Sequence, residues 1–218
     1  MRNPRVKDVI AHMLSWKYAE DYVPEREDIA AVRAHALELG VEPITPSMGA
    51  HLALLVAASR PDNIIEIGTG TGVSGLWLLS GSEDATLTTI DMEHDYQALA
   101  RKAYLDAGIA QNRMRLIGGR AADVLPRMNE ASYDMVFIDA DPASAIEYVE
   151  HGLRLARRGG TVVVAHALWR GTVADPAQRG EITVGFRSLL NELQHSDAVI
   201  AALSPIGDGL LQLTKVVD

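Results

Sequence analysis

Glu66, Asp91, Asp139, Asp141 and His166 are the residues of this chain whose types and positions can do chemistry. Each stands at or just beyond the end of a short apolar run. Glu66 opens the segment Glu66-Ile67-Gly68-Thr69-Gly70-Thr71-Gly72-Val73-Ser74, which follows the strand-like run Ile64–Ile67 and leads into a helical stretch. Glycines at such a junction let the backbone turn sharply and approach a ligand closely. Asp91 ends the next apolar run, Thr89-Ile90-Asp91, where a carboxylate can accept both hydroxyls of an adenosine ribose. A carboxylate at Glu66 repels a pyrophosphate but tolerates an ammonium and a sulfonium. Gly72 follows Gly70 by two residues, not the three of the dinucleotide fingerprint. Together these features predict S-adenosylmethionine as cofactor. Two readings stay open beside it: an NAD-dependent dehydrogenase, and a glycine turn that only packs strand against helix. The expected cofactor contacts are Glu66, Gly68, Thr69, Gly72, Ser74, Asp91 and Met92. Ser74 either donates to the cofactor's carboxylate or is an ordinary serine at a helix start.

These residues need a scaffold that brings strand ends together. The apolar pattern predicts helices over 6–20, 28–39 and 48–59, with Pro24, Pro43, Pro46 and Pro61 as punctuation. Strands and helices then alternate, the βαβ pattern. Strands are predicted over 64–67, 86–90, 114–117, 135–138, 161–164, 199–203 and 210–216. The intervening helices are predicted over 73–79, 96–107, 121–128, 145–155 and 181–193. Right-handed crossovers place the first five strands in a doubly wound parallel sheet. Ser204–Gly209 is too short for a crossover helix, so the last strand is expected to run antiparallel. The expected class is α/β, Rossmann-like, in one domain: residues 1–60 as a helical N-terminal extension and 61–218 as the cofactor-binding core.

Composition narrows the partners. A net charge of -9 argues against a nucleic-acid or anionic-membrane partner. The clusters Arg113/Arg115/Arg120 and Arg154/Arg157/Arg158 read as solvated surface. The chain has no cysteine, which removes disulfides, thiolate zinc sites and a cysteine nucleophile. No leader follows Met1–Arg5 and no window matches a membrane span, so a cytoplasmic location is the default expectation.

Ile64–Ser74 (IIEIGTGTGVS), Leu87–Asp91 (LTTID), Phe137–Asp141 (FIDAD), Leu168–Gly171 (LWRG) with Val173–Asp175, and Gly207–Gly209 (GDG) carry a resemblance. The chain resembles the small O-methyltransferases that include catechol and caffeoyl-coenzyme A O-methyltransferases. The likeness runs from about Thr45 to the C-terminus. It implies a class I methyltransferase fold, S-adenosylmethionine as cofactor, a small-molecule acceptor and a homodimer. By position it assigns Glu66, Gly68 and Ser74 to the methionine part, Asp91 to the ribose, Ala121 and Ala122 to the adenine, and Asp139 to a contact with cofactor and metal.

The chain also departs from that family. Its metal is normally held by the FIDAD aspartate and an Asp-Asn pair after the fifth strand. Asp139 is present, but Ala165 and His166 replace the pair. Magnesium prefers oxygen ligands, and a transition-metal site on Asp139 and His166 lacks a third ligand. Pro142 replaces the lysine that follows the DAD sequence. The expectation is therefore O-methyl transfer without a divalent metal. His166 is the candidate base, Asp141 a second one, and Asp139 a third catalytic residue. The alternatives are a structural, hydrogen-bonded His166 and an Asp141 that caps a helix. Trp169 and Tyr148 either line the acceptor pocket or pack in the core. A protein that binds the cofactor with little catalysis is the other functional reading.

Overall fold

The structure is a computed structural model and describes residues 6–217; Met1–Arg5, read above for a leader, lies outside them. Three helices come first: α1 (Val6–Glu20), α2 (Glu27–Glu38) and α3 (Pro46–Ser59). The alternating part follows as β1 (Asn63–Ile67), α4 (Val73–Ser80), β2 (Thr86–Asp91), α5 (His94–Asp106), β3 (Met114–Gly118), α6 (Ala121–Val124) and β4 (Tyr133–Ile138). It continues through α7 (Ala145–Leu155), β5 (Ala156–Val164), α8 (Glu181–Gln194), β6 (Val199–Ser204) and β7 (Leu210–Lys215). No helix among the described residues is long and apolar enough to cross a membrane.

The seven strands form one sheet in the order β3-β2-β1-β4-β5-β7-β6. The pairs β1/β2, β1/β4, β2/β3 and β4/β5 are parallel. The last strand, β7, slips between β5 and β6 and runs antiparallel to both, as the short 204–209 link requires. The α/β class and the reversed last strand match the sequence expectation.

Strand periodicity divides the core. Ile64, Leu87, Met135, Phe137 and Val163 face α3, α4 and α5 on one side of the sheet. Ile65, Ile67, Val136, Ile138 and Val162 face α7 and α8 on the other. Two elements differ from their predicted form. Pro126 ends α6 after one turn, and Leu125–Arg127 continues as a 3₁₀ turn, so no single helix spans 121–128. β5 starts at Ala156 rather than Thr161, with a register shift that takes up Gly159-Gly160 as a bulge. Two of the arginines read as solvated surface are structural. Arg113 donates to the carbonyls of Ala85 (3.0 Å) and Ser82 (2.6 Å), and Arg154 to those of Met128 (3.0 Å) and Leu125 (2.6 Å).

Close helix packing sets the position of the glycine loop. A Cβ on Gly75 would stand 2.0 Å from the Tyr104 hydroxyl oxygen and 3.0 Å from Leu87. Tyr104 and Leu87 are fully buried, so neither can step aside cheaply. Gly75→Ala is therefore expected to cost about 1–3 kcal/mol in urea denaturation; an unchanged midpoint would show that α4 does not press on α5 at this point.

Candidate active site

The site forms where β1 and β4 lie side by side and their following loops part, the switch point at which open α/β sheets bind ligands. Gly68 donates its N–H to the Ile90 carbonyl (2.9 Å), and Asp139 donates its own to Ile67 (2.9 Å). Gly68 holds φ +100°, and a Cβ there would sit 2.0 Å from the Asp139 carbonyl oxygen. Only glycine satisfies both the dihedral and the contact.

Glu66 is fully buried beneath this loop. It accepts from Ser74 Oγ (2.5 Å) and Thr89 Oγ1 (2.6 Å), and Thr69 lies 2.7 Å from Thr89. Burial pushes the Glu66 carboxyl up to about 8; the two hydroxyl donors pull it down, and Asp139 and Asp91 raise it further. Ser74 thus spends its hydroxyl on Glu66 here. Asp91 is anchored by its backbone neighbours, accepting from Gly70 N–H (2.8 Å) on one oxygen and Glu93 N–H (2.9 Å) on the other.

A cleft of about 670 Å³ opens along these strand ends and is lined by Gly68, Asp91, Met92, Ala121, Ala122 and Asp139, among others. Tyr148 also borders it. A second cavity of about 90 Å³ lies between Val41–Ile44 and the glycine loop; Gly68, Thr69, Ser74 and Asp139 line it. Gly72 lines neither of these two cavities. Its φ is +97°, and a Cβ there would meet Ala100 and Tyr104 at 3.0 Å, so it serves the packing of α4 on α5. Thr71 was missed in the sequence. Its hydroxyl is buried without a hydrogen-bond partner, and the residue lines the smaller cavity. The available signal was a hydroxyl between two loop glycines.

His166 and Asp139 meet across the strand ends, His166 Nε2 lying 3.5 Å from Asp139 Oδ1. Burial raises the Asp139 carboxyl, and the adjacent His166 draws it back down. Behind the ring stands Asp208 of the GDG loop, with its Oδ2 3.7 Å from Nδ1. Asp208 was not singled out in the sequence; it is distant along the chain, and only the β6–β7 turn brings it here. The turn after β5 is tense. His166, Trp169 and Arg170 all hold positive φ, at 56°, 41° and 54°. The GDG loop clamps it: Ala167 N–H donates to Gly209 (2.9 Å), Leu168 N–H to the Asp208 carbonyl (3.0 Å) and Arg170 N–H to the Asp208 carboxylate (2.5 Å). The loop is tied in turn to the N-terminal helices, because Gly207 N–H donates to Glu20 (2.8 Å). Ala165 is buried in the apolar core and offers no donor atom.

Asp141 borders both the cleft and a small cavity beside His166. Its carboxylate caps the 3₁₀ turn 142–144, accepting from Ala143 N–H (3.3 Å) and Ser144 Oγ (2.9 Å). Trp169 borders the small cavity and stacks on Phe186 with centroids 6.4 Å apart. Beyond it the chain 172–178 is held by Arg187. Its guanidinium donates to the carbonyls of Val173 (2.9 Å), Gln178 (2.8 Å) and Thr172 (2.9 Å), and also to that of Asp175.

Comparison with known proteins agrees with this architecture. Residues 25–216 match the family described as O-methyltransferase. A relative from Mycobacterium avium (strain 104), whose name places it among the O-methyltransferases, is 46% identical over 97% of this chain and 93% of its own. A relative so named from Mycobacterium tuberculosis (strain ATCC 25618 / H37Rv) is 45% identical over 92% of this chain and 90% of its own. A crystal structure from Corynebacterium glutamicum superposes with a TM-score of 0.86 at 30% identity, covering 95% of this chain and 98% of that one. The O-methyltransferase TomG from Streptomyces achromogenes, solved with S-adenosylmethionine, gives a TM-score of 0.79 at 29% identity over 92% and 95% of the two chains. The chain belongs to the O-methyltransferase family, and its sheet is that of a Rossmann-like methyltransferase.

Glu66 links the site to stability. In the folded, ligand-free protein it releases its proton at about 8, against 4.5 for an ordinary glutamate. Between those values the fold holds a proton that the unfolded chain has lost, so stability falls as pH rises through the window and levels off above it. Wild-type Tm is expected to drop from about pH 5 to about pH 9 by several degrees more than that of Glu66→Gln. Parallel curves for the two proteins would refute the buried, proton-holding carboxyl.

Proposed function

We propose that this protein transfers a methyl group from S-adenosylmethionine to a hydroxyl of a small molecule, without a divalent metal and with His166 as the base. The observation that carries the proposal is the placement of His166 beside Asp139 at the cofactor switch point. The cofactor reading rests on the fit of its parts. The ribose would lie at Asp91, the adenine at Ala121 and Ala122, and the methionine end in the cavity beside Ser74 and Thr71. Thr71 supplies a buried hydroxyl that wants a partner, and Gly68 keeps the floor free of a side chain. The ammonium of the methionine end would stabilise Glu66 as a carboxylate. When bound, the cofactor would supply an electrophilic methyl on a sulfonium.

The chain's own residues manage the acceptor. Its hydroxyl proton would pass to His166 Nε2 as the oxygen takes the methyl group and the methyl–sulfur bond breaks to release S-adenosylhomocysteine. The imidazolium so formed has Asp139 on one side and Asp208 on the other. Positioning by the clamped 165–171 turn supplies much of the rate. A magnesium ion does not fit this donor set. Ala165 contributes no ligand, and His166 presents nitrogen where the ion prefers oxygen; Pro142, at the place of the family's lysine, cannot titrate, which leaves the base to His166.

The reading also includes a homodimer. Val9, Ile10, Met13 and Leu14 of α1 are exposed apolar residues, and a second subunit would cover them. Sedimentation equilibrium is expected to give twice the chain mass of 23.6 kDa, and a monomer at micromolar concentration would remove this part of the proposal.

Methyl transfer from labelled cofactor to hydroxylated aromatics is expected to persist in excess EDTA. His166→Ala is expected to lower kcat by roughly a hundredfold or more while calorimetric affinity for S-adenosylhomocysteine stays the same. Loss of activity in EDTA with recovery on magnesium would overturn metal independence, and a fully active His166→Ala would overturn the base.

A further inference from the structure

Asp139 lines the cofactor cleft, the cavity at Ser74 and the small cavity beside His166. Two segments border the cavities that meet at Asp139. One is the α2–α3 link, whose Glu42 lines the cavity at Ser74. The other is the 165–171 turn, whose Trp169 lines the small cavity. An ion pair joins them: Arg170 Nη2 lies 3.1 Å from Glu42 Oε2, across most of the chain's length in sequence.

The two ends of Arg170 are held very differently. Its backbone is fixed, with φ +54° and the N–H bound to Asp208. Its guanidinium lies over the Trp169 ring, 5.6 Å from the centroid. Its outer edge is open, with side-chain exposures of 69% for Arg170 and 78% for Glu42. An exposed pair of this kind is weak, so another carboxylate can replace Glu42 at little cost. A guanidinium is a planar fork that matches a carboxylate with two parallel hydrogen bonds. The surroundings are otherwise acidic: Glu42, Asp139, Asp141 and Asp208 all stand near the acceptor path, in a chain of net charge -9. A cation held firmly at its base and loosely at its tip, amid acids, is suited to selecting an anionic substrate.

We propose that Arg170 is the specificity-determining residue of the acceptor site, exchanging Glu42 for the carboxylate of a hydroxylated aromatic acid whose hydroxyl then reaches His166. The proposal rests on the methyl-transfer reading above and names the substrate class within it. Arg170 does not touch the reacting atoms, so its loss is expected in KM with kcat retained.

The test uses matched probes: 3-hydroxybenzoate, 4-hydroxybenzoate and 3,4-dihydroxybenzoate, each against its parent phenol or catechol. Wild-type protein saturated with S-adenosylhomocysteine is expected to bind at least one acid roughly threefold or more tightly than its parent in calorimetry. Arg170→Gln erases that preference and leaves the parent's affinity unchanged, whereas Glu42→Gln strengthens binding of the acid. With labelled cofactor the same preference appears in KM. No preference for any acid in the wild type, or a preference that survives Arg170→Gln, overturns the proposal. A preference lost in Arg170→Gln together with no methyl transfer upholds Arg170 as the acid-recognising residue and defeats the methyl-transfer reading instead.

Discussion

Between Gly68 and the backbone of Asp139 there is no room for a methyl group, since a Cβ would stand 2.0 Å from the carbonyl oxygen. Two loops that leave neighbouring strands are thereby forced together at their first step. The glycine loop departs towards α4, and the Asp139 loop departs towards α7. The cleft is the space that opens as they diverge. Everything placed on either loop inherits its position from that contact: Ser74 and Thr71 on one side, Asp139 and Asp141 on the other.

The site is built mainly of acids, and the fold manages them individually. Glu66 is buried and supplied with two hydroxyl donors, an environment in which it keeps its proton near neutrality. Asp91 is tied to backbone N–H groups of the loops around it. Asp139 and Asp208 flank an imidazole. Acids so placed disfavour a phosphate-bearing ligand in the cofactor cleft, whereas Arg170 sets a cation at the outer rim. The N-terminal helices are joined to this chemistry through Glu20, which accepts from both Gly207 and Ser47 at the edge of the GDG loop.

The sequence was most readable where a backbone demand dictates a residue type. Gly68 and the βαβ alternation are of this kind, because close approach and strand burial leave their mark on local composition. Gly159-Gly160 shows the limit. Glycines commonly end helices, yet these form a bulge inside β5, since the same freedom of φ serves both. Gly72 looked like part of the ligand loop by spacing, while its missing side chain makes way for Ala100 and Tyr104. Asp208 and Arg170 sit in motifs that mark the resemblance, but nothing local announces their partners His166 and Glu42, which come from segments distant along the chain.

Arg187 binds the 172–178 segment through four main-chain carbonyls and none of its side chains. The segment adds bonds of its own, Thr172 Oγ1 lying 2.8 Å from Thr183 Oγ1 and Ala177 N–H donating to the Asp175 carboxylate (2.9 Å), but the four carbonyls converge on one cation of α8. A main-chain anchor of this kind survives substitution at Val173, Ala174 or Ala177, whose side chains form none of these bonds, so the path of the chain and the identity of those side chains are separable properties.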